Sequence, residues 1–199
     1  PCNIRHRMNS EKSSASGAYF CGDRRRIPYL TNFTHLVRRL PERAARRHHG
    51  QWSMDYHVEA AGEFSLDGRH WRPREARTAH LYAAGCAYWE RSTRTDVPFP
   101  ETYIMFSVED STELDPLVAA GDGFARFLDP EGLLAVVFAR LAETGGPPRA
   151  WRGQADLFEI LNLLLASHPL NKEDHRVTAG TPPLTRSLVE QVEDHIRSH

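Results

Sequence analysis

Residues 56–71 read YHVEAAGEFSLDGRHW, residues 72–90 read RPREARTAHLYAAGCAYWE, and residues 100–110 read PETYIMFSVED. Short segments rich in aromatic and β-branched residues alternate here with Gly, Pro and Asp-Gly breaks, the pattern of antiparallel strands joined by tight turns. Polar and apolar residues take turns within each segment, so one face of each strand looks into a core or a binding interior. Tyr56, Val58 and Ala60 fall on one side, and His57, Glu59 and Ala61 on the other. Residues 51–67 are expected to form a first strand pair, with a bulge or close backbone approach at Gly62. Asp67-Gly68 is a hairpin turn signal before Trp71, and the polar run from Pro73 to Thr78 is a rim loop. Ala79–Tyr82, Ala87–Glu90 and Tyr103–Val108 complete the sheet.

Upstream, residues 27–40 (IPYLTNFTHLVRRL) have strand character, with Tyr29, Phe33 and Leu36 as expected core residues. Proline at 41 ends the strand, since it cannot donate to a ladder. Residues 1–19 are polar, Ser-rich and aperiodic, which reads as a flexible arm. After Asp110 the period changes from 2 to 3.6. Asp129-Pro130-Glu131 is a helix start, and Leu133, Leu134, Val137, Phe138 and Leu141 form its apolar stripe. Gly121-Asp122-Gly123 reads as a turn between helical pieces. A second helix covers roughly residues 148–167, with Leu157, Ile160, Leu161, Leu164 and Leu165 wide enough to face both a core and a partner. Residues 168–181 (HPLNKEDHRVTAGT) read as a linker, and residues 182–198 as a third helix with Leu184, Leu188, Val192 and Ile196 spaced by four.

A chain of 199 residues can bury a sizeable core. The longest apolar run, Leu133–Ala139, is too short to cross a bilayer, and no signal-peptide pattern opens the sequence. Cys2, Cys21 and Cys86 have no metal-ligand spacing and are odd in number, so a reducing cytoplasm is expected. The net charge of −1 conceals an asymmetry: residues 1–50 hold 11 Lys/Arg against 3 Asp/Glu, the remainder 14 against 23. The bland reading of that basic front end is a solvated surface. No aromatic residue interleaves with Arg24-Arg25-Arg26 or Arg46-Arg47-His48-His49 as a single-strand binding platform would require.

Residues of these types admit three chemistries. A metal site needs two or three histidines and a carboxylate converging on one ion, and His57, His80 and Glu59 are the available set. His70 and His80 each stand alone in sequence. A nucleophile is poorly supported, because there is no Gly-x-Ser-x-Gly elbow and Cys86 has no base beside it. Neither a Gly-rich phosphate loop nor a dinucleotide fingerprint occurs. An inward face bearing His, Tyr, Trp and carboxylates suits an organic ligand that is stacked and hydrogen-bonded. The competing reading is that Trp71, Tyr82, Trp89 and Tyr103 are core aromatics.

The segment from Asp55 to Asp110 resembles the N-terminal cupin-type sensor domain of AraC/XylS-family transcription regulators. The resemblance rests on Asp55-Tyr56-His57-Val58 entering a strand that ends at Gly62, on the Asp67-Gly68 hairpin, on His80-Leu81-Tyr82, and on Tyr103-Ile104-Met105-Phe106. The family's Pro-Gly hairpin before His-x-Tyr is replaced here by Pro73-Arg74-Glu75-Ala76. The resemblance extends from about Arg26 onward. It implies an α+β fold, a cupin-like antiparallel β-barrel followed by two to three helices. It divides the chain into an arm (1–25), a barrel sensor (26–110), a helical dimerisation part (111–167), a linker (168–181) and the first helix of a DNA-binding domain (182–199).

What the resemblance implies for function is a non-enzymatic, cofactor-free cytoplasmic homodimer whose barrel takes a small polar metabolite, such as a sugar. The implied contacts are His80 and Tyr82, then His57, Glu59 and Tyr103, with Leu157, Leu161 and Leu164 at the dimer interface. The family's two helix-turn-helix units would follow Ser198, so DNA would be met only through that further domain. The alternative is a metal-dependent cupin enzyme, an oxygenase or isomerase, using His57, His80 and Glu59.

Overall fold

The computed structural model describes residues 24–38, 44–60, 62–92, 99–143 and 150–179. Residues 1–23 of the expected arm and the expected third helix, with Leu184, Leu188, Val192 and Ile196, lie outside the described residues. The fold is α+β. Seven strands make one sheet in the order β1 (Tyr29–Arg38), β8 (Phe99–Ser107), β3 (Trp52–His57), β6 (Thr78–Tyr82), β9 (Phe124–Leu128), β11 (Asp174–Arg176), β10 (His168–Pro169). Four make a second sheet in the order β2 (Ala45–His48), β7 (Ala87–Arg91), β4 (Glu63–Ser65), β5 (Arg72–Pro73). The ladders are antiparallel except that between β11 and β9. The helices are α1 (Asp115–Val118), α2 (Leu133–Glu143) and α3 (Ala150–Leu165).

Among the described residues the strands form two sheets, and no closed barrel is seen. The division begins after β3. Between His57 and Glu63 the chain passes from the larger sheet to the smaller, so β3 and β4, expected to pair, belong to different sheets. Gly62 makes the crossing possible, with φ of 77° and a position where a Cβ would lie 2.6 Å from the Arg91 carbonyl oxygen. The close backbone approach expected there is therefore present. The Asp67 turn is held by its own side chain, whose Oδ1 accepts from the Arg69 and His70 amides at 2.8 Å each.

Every residue of β3 and β6 is buried, because both faces of the large sheet are covered. On one face Trp52, Met54, Tyr56, Leu81, Ile104 and Phe127 meet the apolar stripes of α2 and α3. On the other, Tyr82 and Phe124 meet Phe64 and Tyr88 of the small sheet. Tyr29, expected in the core, is 52% exposed, while Phe33 packs partly against it. Two segments read as helix or linker are strands. β9 lies within the region assigned a helical period, and β10 and β11 occupy the expected linker. The large sheet therefore draws three strands from beyond residue 110.

The helix start read at Asp129 is realised by a shared carboxylate. Asp129 Oδ1 accepts from the Leu133 amide at 2.8 Å, and Oδ2 accepts from the Ala135 amide at 3.1 Å and from the Tyr56 hydroxyl at 2.9 Å. One buried side chain thus caps α2 and ties it to β3. Burial first, then the Asp129 carboxylate, pushes the Tyr56 phenol up, so it remains a donor. Asp129→Ala should cost about 2–4 kcal/mol, since a cap is lost and a buried hydroxyl is stranded, whereas Tyr56→Phe should cost about 1 kcal/mol. Urea unfolding of the two variants checks the ranking, and equal losses would contradict a capping role.

Candidate functional site

The antiparallel and parallel registers align one residue from each of five strands. Tyr103 lies opposite Asp55, Asp55 opposite His80, His80 opposite Arg126, and Arg126 opposite Asp174. Cross-strand partners share a face, so this polar row crosses the side of the large sheet that looks toward the small one. The adjoining row is Ser53, Tyr82 and Phe124. Period-two alternation along β3 adds His57 beside Asp55.

The imidazole of His80 is enclosed by rings. Centroids of Phe64, His57, Phe124 and Tyr82 lie 4.4, 4.9, 5.4 and 6.3 Å away. Tyr82 also stacks on Tyr88 at 3.8 Å and 10°. His80 Nδ1 and the Tyr82 hydroxyl are 3.4 Å apart. The Nε2 atoms of His57 and His80 are buried and have no hydrogen-bond partner among the described residues. Such groups are rare in folded proteins, and each costs free energy unless something satisfies it. Burial holds both imidazoles well below their usual pKa, with Arg74 adding for His57, and His57, Arg74, Arg126 and Arg72 adding for His80. Both are therefore neutral at pH 7, able to donate through one nitrogen and accept through the other.

Against this face the small sheet presents charge. Arg74 Nη2 donates to Glu90 Oε2 at 2.7 Å and stands 3.5 Å from Asp55 Oδ2, with all three side chains 5% exposed. Arg47, one-third exposed, pairs with Glu90 Oε1 at 2.6 Å. An alternating chain Arg47–Glu90–Arg74–Asp55 thus runs from the surface to the inner row. Burial works against the charge on Arg74, but the carboxylates of Asp55 and Glu90 outweigh it and hold the guanidinium protonated. Burial likewise opposes ionisation of Glu90, and Arg74 and Arg47 overcome it. Tyr82 is pushed up by burial and then by Asp55, so its hydroxyl stays protonated.

The edge of this interior is bridged by further arginines. Arg72 lies over the rings of Phe64 (4.7 Å) and Phe124 (5.5 Å) and pairs with Glu173 at 2.5 Å. Arg126 donates to both oxygens of Asp174, at 2.8 and 3.1 Å, and stands 3.5 Å from Glu75.

Of the residues expected to line the site, His80, Tyr82 and His57 come together, and Tyr103 is half-buried in the same row. Glu59 is exposed in the crossing segment and does not join them. The metal set His57, His80 and Glu59 therefore does not assemble, and among the described residues no three His, Cys, Asp or Glu side chains are grouped to hold a metal ion. Leu157, Leu161 and Leu164, expected at a dimer surface, are at most 4% exposed inside the chain's own core. Cys86 is a free, half-buried thiol that burial and Asp122 push up, which suits it poorly to nucleophilic chemistry. The residues that reading by sequence passed over are Asp55, Arg74, Glu90 and Arg126. Two of them carried a signal: Asp55 and Glu90 stand two residues from His57 and Tyr88, on the same strand faces.

No protein family and no curated protein matches the sequence. Among solved structures, the chain is similar to the crystal structure of the AraC-like transcriptional activator CuxR, with 12% sequence identity and a TM-score of 0.42. The match covers 83% of this chain and 60% of that one, so the chain spans about 60% of the length of the structure it matches. Among the described residues no helix is long and apolar enough to cross a membrane.

The two neutral imidazoles set a pH dependence. Their folded pKa values lie below the unfolded value of about 6.5, so the unfolded chain takes up protons that the native chain refuses. Stability is full above that value and falls as pH drops, by at most ~1.4 kcal/mol per pH unit for each histidine. His49 and His175, also lowered chiefly by burial, act in the same direction. Urea unfolding between about pH 8 and about pH 5 should show the fall, and a His57→Gln/His80→Gln double variant should remove its steepest part. A flat profile over that range would contradict a neutral buried pair.

Proposed function

We propose that this chain is the ligand-sensing and dimerisation module of an AraC-type transcription regulator, working in the cytoplasm. It takes up a small polar metabolite between its two sheets and passes that occupancy to a DNA-binding domain without transforming the guest. The observation that carries the reading is the pair of fully enclosed imidazoles, His57 and His80, whose Nε2 atoms lack partners. A receptor needs convergent donors and acceptors beside aromatic rings, and this interior supplies both. The sequence resemblance over Asp55–Asp110 supports the same reading. In this role His80 and Tyr82 make the principal contacts, with His57 and Tyr103 beside them. Signalling requires that the guest bind one arrangement of the chain better than another. Isothermal titration against a metabolite panel tests this. Binding is expected, and His80→Gln should weaken it about tenfold. Absence of heat with every compound would overturn the sensing role.

Dimerisation falls to the outer stripe of α3, because Leu157, Leu161 and Leu164 are committed to the monomer core. Trp151 is 88% exposed, and Phe158 and Leu165 follow at intervals of seven, on one side of the helix and partly exposed. A Trp151→Glu/Phe158→Glu variant should sediment as a monomer and lose only the concentration-dependent part of its unfolding midpoint. Leu161→Glu should instead lose about 3–5 kcal/mol of stability, as a charge placed in a packed core does. A dimer that survives the double substitution would remove α3 from the interface.

A further inference from the structure

The buried ion pairs say more about the guest. Asp55 and Glu90 converge on one guanidinium, that of Arg74, beside the stacked rings of Tyr82 and Tyr88. Two carboxylates next to aromatic faces are the chemistry by which proteins hold organic cations. Arg74 reaches this place from the segment 72–77, which pairs through the two-residue edge strand β5 with β4. The segment is pinned at Arg74, whose amide donates to the Gly62 carbonyl at 3.1 Å, and at Arg77, whose amide donates to the His57 carbonyl at 2.7 Å, with Glu75 and Ala76 between the two pins. The segment ends at Arg77, which has φ of 54°, a conformation residues other than glycine seldom adopt. Its other residues reach the β9–β11 end of the large sheet, Arg72 to Glu173 and Glu75 to Arg126.

We propose that Arg74 is an internal stand-in for the effector. The interior accepts an organic cation with a guanidinium or primary ammonium group, which takes the place of Arg74 between Asp55 and Glu90 and so releases the segment 72–77. This rests on the sensing role proposed above and names the class of its ligand. A neutral guest would leave Asp55 and Glu90 without the charge Arg74 now brings, and an anion would add to their repulsion. In the tautomer that leaves Nε2 unprotonated, the N–H groups of a cationic guest would also give the Nε2 atoms of His57 and His80 something to accept from. Displacement of Arg74 moves Arg72 and Glu75 with it. The β10–β11 hairpin, held through Glu173 and through Asp174 on Arg126, is then the part of the sheet that loosens.

Chemical rescue tests the proposal on the full chain. Arg74→Ala should unfold at a lower temperature than the wild type. Methylguanidinium chloride, well below denaturing concentrations, should restore it saturably, by about 4 °C at roughly ten times its dissociation constant. Sodium chloride at equal ionic strength should not, and Glu90→Gln added to Arg74→Ala should abolish the rescue. Should Arg74→Ala not fold, Arg74→Lys keeps the charge and should bind methylguanidinium more tightly than the wild type does. In the wild type, agmatine should raise amide exchange at residues 72–77 and 168–176 while leaving α2 and α3 unchanged. Rescue absent, rescue equal in wild type and variant, or rescue without any wild-type exchange response would each overturn the proposal. Binding of a polyol or organic acid to the wild type would overturn the cation class and leave the sensing role standing. Failure of every compound in the panel would overturn both.

Discussion

The structure depends on one buried charge. Bringing a guanidinium from water to an interior where it is 5% exposed costs several kcal/mol after relaxation, and only well-placed counter-charges repay that. Arg74 finds them in two places, Asp55 on β3 and Glu90 on β7, one from each sheet. The sheets are thus joined by an interaction that works only while both are in position. Removing either carboxylate would leave charge buried and under-compensated, a loss on the order of 3–5 kcal/mol, whereas a surface pair is worth ~0–1 kcal/mol. Arg47 extends the arrangement outward, holding the second oxygen of Glu90 at 2.6 Å. The charges alternate in sign along the whole path, so each carboxylate meets a cation before it meets another carboxylate.

That constraint explains why the two faces of the large sheet differ so sharply. Along β3, Trp52, Met54 and Tyr56 pack toward the helices, and Ser53, Asp55 and His57 occupy the other parity. Along β6, Ala79 and Leu81 alternate with His80 and Tyr82. The apolar face supplies the hydrophobic stabilisation, at roughly 25 cal/mol per Å² buried. The polar face can therefore be given over to groups that a core would otherwise exclude. A slip of one residue in register would exchange the two sets, burying Asp55 and His80 under α2 and α3. The pattern fixes its own register.

How much of this was legible follows from the same periodicity. Strands β3, β6, β7 and β8 were readable because their alternation survives within each segment, and the α2 start was readable because Asp129-Pro130 is a local signal. Closure into a barrel was not readable, because nothing local to Glu63–Ser65 says whether β4 pairs with β3 or joins another sheet. β9 is five residues of mixed character, FARFL, between a Gly turn and a helix cap, too short for period two to show. β10 and β11 hold two and three residues in a polar stretch, and tertiary pairing with β9 makes them strands. Leu157, Leu161 and Leu164 were correctly apolar, but a helical stripe does not say which of two surfaces it meets. Arg74 was the hardest: an arginine in RPREAR reads as solvated rim, and its burial follows only from Asp55 and Glu90, nineteen and sixteen residues away, converging on it.

The arginine pairs that cross the interior are graded by exposure, and the grading sets the order in which the structure yields. Arg74–Glu90 is 5% exposed on both sides, Arg126–Asp174 is 20% and 17%, and Arg72–Glu173 is 40% and 33%. Solvent screens the outermost pair most, so it holds the hairpin with little more than the ~0–1 kcal/mol of a surface contact plus the cover Arg72 gives Phe64 and Phe124. The hairpin is also short, with two ladder positions between β10 and β11 and three between β11 and β9. Elements with few ladder bonds and screened contacts are the ones that open first in native proteins. Arg126 is the exception within that weak region, since its bidentate grip on Asp174 stands directly across the ladder from His80. A disturbance at His80 therefore meets the hairpin at its strongest fastening, and the rest of the hairpin resists it least.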